Sequence, residues 1–181
     1  MDGSAPIEGS TETHASTARE GSDPVTTIVE APIGRVFGVL ADPRTPGYYV
    51  PGTSRVHDFD PRWPERGTSL RFSAGLGPFK LRDRSTVLES EPPRALEIEA
   101  QLRPLGTLRV LFRLHELAGD HAAGRTELGV SEWPVRGPIS ASLLRRPVTA
   151  LLRLRNKELA RRVRLLAERR QAQAEALDGR G

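Results

Sequence analysis

The stretch IVEAPIGRVFGVLADPRTPGYYVPGTSRV, residues 28–56, decides how the rest of the chain is read. It opens on the end of a β-branched run, Val25 to Val29, whose composition suits a strand. Pro32 fits a first helical turn, where its missing N–H would have no partner anyway. Ile33, Val36, Phe37 and Leu40 then recur at helical spacing. Pro43 and Pro46-Gly47 stop that helix, and Tyr48, Tyr49 and Val50 predict a short second helix or elbow before a strand at residues 54–59.

Downstream the apolar residues change to period two. Leu70 and Phe72; Phe79, Leu81 and Val87; Leu96, Ile98 and Ala100; Leu108, Val110, Phe112 and Leu114; and Leu128 and Val130 each mark one face of a strand. The turn signals GLGP, SEPPR, RPLGT and AGDHAAG lie between them. Such a meander makes an antiparallel sheet with one oily face, which another layer has to cover. The cover is predicted at the C-terminus, where Val148, Leu152, Leu159, Val163 and Leu166 form a helical stripe. From Pro147, which either starts or kinks the helix, to Gln171 it would run roughly 37 Å. A ten-residue strand spans roughly 33 Å, so this helix can cross the whole sheet.

Composition sets the outer bounds. At 181 residues, 37% hydrophobic and 28% charged, the chain suits one globular domain. It has no apolar run long enough to span a bilayer and no signal-peptide pattern at its start, which makes the cytoplasm the default expectation. The absence of cysteine excludes disulfides, thiolate metal sites and cysteine nucleophiles. Residues 1–23 are poor in large apolar side chains and are expected to be a disordered tail, residues 24–171 the domain, and residues 172–181 a flexible end.

The formal charge of +4 is unevenly spread: residues 1–24 hold five acids and one arginine, and residues 141–170 hold nine arginines and one lysine against two glutamates. Nucleic acid is not expected, because the basic helix lacks aromatic interleaving for stacking. Peripheral contact with an anionic membrane through that helix stays open, as does oligomeric state.

The order of strand, two short helices, antiparallel strands and one long helix resembles the START/birch-allergen-like helix-grip superfamily (SRPBCC). VTTIVEAPIGRVFGVLADP resembles the opening of its polyketide cyclase/dehydrase-like branch, YYVPGTSRV the elbow that follows, and RLRNKELARRVRLLAE the closing helix. The resemblance implies an α+β fold in which a curved antiparallel sheet wraps the long C-terminal helix. It also implies a pocket for a lipid, quinone, polyketide or other greasy molecule, with no cofactor. Fold alone does not assign the activity.

Candidate site residues follow from phase. Arg155 lies at roughly 340° when Val148 is set to zero, near the centre of the apolar stripe. It either reaches into the cavity to bind a ligand or packs its stem and sends its head to water. Asp83 shares the phase of Phe79 and Val87, and Glu132 that of Leu128 and Val130. Either acid could meet Arg155 or instead take a solvated or edge position, and a one-residue bulge would turn Glu132 out and Trp133 in. Tyr48 and Tyr49 gate the mouth or plug the sheet end, and Phe72, Phe79 and Phe112 are pocket wall or core. His14, His57, His115 and His121 show no metal-ligand spacing, and no nucleophile–base motif is present, so catalytic residues stay unassigned. Three readings therefore remain: a binder of hydrophobic molecules, an aromatase/cyclase-like enzyme, and a protein- or membrane-surface module.

Overall fold

The computed structural model describes residues 23–76, 79–118, 124–141 and 145–179. The chain runs β1 (Val25–Val29), α1 (Ile33–Ala41), α2 (Pro46–Tyr49), β2 (Thr53–Phe59), β3 (Ser69–Leu76), β4 (Phe79–Glu91), β5 (Ala95–Leu102), β6 (Gly106–Glu116) and β7 (Thr126–Arg136), followed by a 3-10 turn (Pro138–Ser140) and α3 (Arg145–Asp178). The seven strands form one antiparallel sheet in the order β1-β7-β6-β5-β4-β3-β2. Strands β2 to β7 are a plain meander, and β1 returns to pair with β7. The α1–α2 elbow therefore carries the chain from one edge of the sheet to the other. This is the helix-grip α+β architecture.

Register turns the period-two pattern into rows. Leu96, Phe112 and Val130 stand side by side across β5, β6 and β7, and the next row along is Ile98, Val110 and Glu132. Because side chains alternate at every residue, this pairing commits Glu132 to the oily face. Register irregularities fall at Val87/Glu89 in the β4–β5 pair and at Thr107/Leu108 in the β6–β7 pair. The second lies opposite Pro134 and Arg136, beyond Glu132, so the inward phase survives through the acid; Glu132 is buried and Trp133 only half-buried.

Helix α3 lies on the oily face and buries Leu152, Asn156, Leu159, Ala160, Val163 and Ala167. It begins at Arg145, so Pro147 sits in its first turn, where the missing N–H costs nothing because the first N–H groups of a helix have no intrahelical acceptor. It also runs past Gln171 to Asp178, so most of the expected flexible end is helical. Residues 172–177 are strong helix formers, and Gln171 Nε2 donates to Glu175 Oε1 at 2.8 Å, but they carry no apolar stripe to reveal them. The expected N-terminal tail falls, apart from Asp23, outside the described residues.

The C-terminal half of α3 is fastened to α1. Arg170 donates from Nη2 to Asp42 at 2.8 Å and from Nη1 to the Gly38 carbonyl at 3.2 Å, placing a cation at the C-terminal end of α1. Burial alone would raise the Asp42 pKa, but Arg170 and the Arg44 N–H outweigh it and hold the carboxyl below its ordinary value. Thr126 Oγ1 donates to the Ala31 carbonyl at 2.8 Å, closing the β1–α1 corner.

Candidate functional site

Between the sheet and the N-terminal half of α3 the packing leaves a cavity of about 290 Å³. Its walls come from every layer: Leu70 and Phe72 of β3, Ile98 and Ala100 of β5, Leu108, Val110 and Phe112 of β6, and Leu151, Leu152 and Leu159 of α3. The elbow contributes Tyr49 and Val50, and the turn before β3 contributes Trp63. The mouth is bounded by Leu105 of the β5–β6 turn, Ile139 of the 3-10 turn and Leu151. Among the described lining residues, the charged ones are Arg155 and Glu132.

That pair is the chemical centre of the cavity. Arg155 Nη1 donates to Glu132 Oε1. Glu132 is fully buried, whereas the Arg155 side chain keeps about a quarter of its surface exposed. Burial is the dominant influence on the Glu132 carboxyl and raises its pKa above the ordinary value, against the opposing pull of Arg155. A guanidinium carries five N–H donors, so one bond to Glu132 leaves others to meet a ligand.

The remaining candidates separate. Asp83 is buried and its pKa is raised by that burial, but it does not line the cavity: it accepts from the Arg103 backbone N–H at 3.2 Å at the sheet end. At that edge of the sheet the carboxylate secures the β5–β6 turn rather than facing Arg155. Tyr49 is buried with its ring edge-on to Phe112, centroids 6.4 Å apart at 84°, and its hydroxyl pKa is driven up by burial and the Asp42 charge. Tyr48 points the other way and is 68% exposed. Phe72 and Phe112 are wall residues, and the side chain of Phe79 lies outside the described residues.

His57 is exposed, its Nε2 2.6 Å from Ser73 Oγ and away from the cavity lining; His115 is exposed as well. His14 and His121 lie outside the described residues. No cluster of metal-ligating side chains occurs among the described residues.

Trp63, which belongs to no periodic run, is buried in the cavity wall and donates from Nε1 to the Leu40 carbonyl at 3.3 Å. The signal was present: a tryptophan between prolines in a polar turn, DPRWPERGT, has nowhere stable to go except inward. The mouth residues Leu105 and Ile139 lie in turns and so carry no periodicity that would mark them in the sequence.

No family model and no curated protein matches the chain in sequence. Solved structures match its fold. The Zhui aromatase/cyclase from Streptomyces sp. R1128 superposes with a TM-score of 0.60 at 20% identity, covering 81% of this chain and 93% of that one. The di-domain ARO/CYC StfQ from the steffimycin biosynthetic pathway gives 0.61 at 12% identity, covering 82% of this chain and 51% of that one. Ara h 8.0201 gives 0.52 at 10% identity, with 77% and 95% covered. These likenesses support the helix-grip fold that the sequence resembles, and at such identities they carry the fold alone.

Proposed function

We propose that this chain binds a hydrophobic small molecule, with a lipid, quinone or polyketide as the candidate classes, in the cavity between sheet and α3. One observation carries the reading: an apolar cavity of about 290 Å³ whose charged lining, among the described residues, is the pair Arg155–Glu132. Apolar burial supplies affinity, and the free donors of Arg155 orient the ligand through an acceptor such as a carbonyl oxygen. Native mass spectrometry of freshly purified protein, followed by organic extraction, tests this. A discrete lipophilic adduct is expected, and Phe72→Arg, which puts a charge into the wall, removes it. Protein that is empty and takes up no lipid, quinone or polyphenol from a panel would overturn the reading.

A second reading, an aromatase/cyclase-like enzyme, draws on the same pair. A carboxyl whose pKa is raised by burial beside a guanidinium can exchange a proton with a carbon acid while the guanidinium polarises the neighbouring carbonyl. Two of the structural neighbours are described as aromatase/cyclases. Glu132→Gln then abolishes turnover of a poly-β-keto substrate while ligand uptake persists; unchanged turnover removes Glu132 from the chemistry.

A further inference from the structure

The cavity mouth has a chemical character of its own. Leu151 and Leu154, one helical turn apart on α3, are 65% and 67% exposed, and Leu105 on the facing turn is 54% exposed. Ile139 joins them: its N–H donates to the Leu105 carbonyl at 3.0 Å, bonding the two mouth loops together. The loops are pressed close. A Cβ on Gly106 would collide with the Arg136 carbonyl and one on Gly137 with the Gly106 backbone, and both glycines have positive φ, 133° and 88°. The apolar collar is therefore held by a tight backbone contact.

The two segments that form the collar are basic in sequence. Residues 133–157 contain five arginines and one lysine and no acid, and residues 100–115 contain three arginines and no acid; of these, Arg155 pairs with Glu132 and Arg109 with Glu97 and Glu99. Arg103, Arg136, Arg146, Arg153 and Lys157 are exposed, and Arg153 makes a loose ion pair with Asp23 at 4.0 Å. Leu152, Leu159 and Val163, which an interfacial helix would use, are instead buried against the sheet. Exposed leucines at the opening of an apolar cavity, with exposed arginines on the same segments, suit one surface best, an apolar interior beneath an anionic headgroup layer.

We propose that the mouth collar docks on anionic lipid bilayers, with Leu105, Leu151 and Leu154 entering the headgroup boundary and the surrounding arginines engaging the phosphates. The test is flotation of the full chain with phosphatidylcholine vesicles, with and without phosphatidylglycerol. Binding is expected only with phosphatidylglycerol and weakens with added salt. Leu151→Glu/Leu154→Glu lowers it by about tenfold, and Arg146→Glu/Arg153→Glu lowers it comparably. Arg169→Glu, roughly 27 Å along the helix from Leu151, leaves it unchanged. No flotation with phosphatidylglycerol, as for a collar that receives an acidic protein, would overturn the proposal, and so would equal losses in the collar and Arg169 variants. These vesicles carry no added ligand, so failure to dock and failure of the cavity to bind are separate results.

Discussion

The two halves of α3 cover the same sheet in opposite ways. The C-terminal half presents Ala160, Val163 and Ala167, small enough to let α1 and β1 close in, and with Val29, Val36, Val39 and Leu40 it makes a core with essentially no exposed surface. The N-terminal half presents Leu151, Leu152, Arg155 and Leu159, which arch over the cavity. One half builds stability, and the other leaves space and places a charged pair beside it. A protein that needs an apolar void has to put its strongest packing somewhere else.

The largest expected effect tests that division directly. Leu40→Ala, in the packed half, is expected to cost about 3 kcal/mol because it leaves a cavity that the surroundings cannot collapse into. Leu105→Ala at the mouth changes stability by no more than about 0.5 kcal/mol. Urea unfolding of both variants decides the matter, and similar losses would mean that the two halves pack alike.

Next is the charged pair. Arg155→Met takes the Arg155 charge away from the buried Glu132 carboxyl and is expected to cost about 3 kcal/mol, most of which Arg155→Met/Glu132→Gln recovers. The pH dependence sharpens this. The Glu132 pKa is higher in the folded chain than the ordinary 4.5, so above pH 4.5 the unfolded chain releases its proton first. The Glu132 contribution is therefore complete below pH 4.5 and erodes as pH rises toward the folded value. Glu132→Gln removes that decline, while Asp83, raised in the same direction, remains in both chains. Parallel stability curves for the two proteins would refute the shift.

The smallest effect concerns Asn156, between the two halves. It is fully buried, and neither its Nδ2 nor its Oδ1 has a partner among the described residues. Asn156→Leu is expected to gain about 1 kcal/mol by removing the desolvated amide. A lower Tm instead would show that a buried water satisfies it.

Much of this was legible in the sequence. The β-branched opening, the helix from Ile33 to Ala41 and, among the described side chains, the strand alternation appear as read, because each depends on contacts between near neighbours in the chain. The site was legible only in part. Arg155 and Glu132 stood out as charges in apolar phase, and the structure joins them. Asp83 had the same signal and lies elsewhere, because phase tells which face a side chain takes but not how far along the sheet it sits. Tyr48 and Tyr49 are adjacent in the elbow, yet one is exposed and the other buried against Phe112, a choice made by α2 docking rather than by residue type.

The sequence by itself determined the element order, the oily face of the sheet and the helix that must cover it, because hydrophobic periodicity is a local property tied to backbone geometry. Tertiary structure alone decided that the cover is incomplete at one end, that Glu132 rather than Asp83 meets Arg155, and that Leu105, Ile139 and Leu151 share one opening. Those outcomes depend on strand register and on volumes summed across five or more elements, which no window along the chain contains.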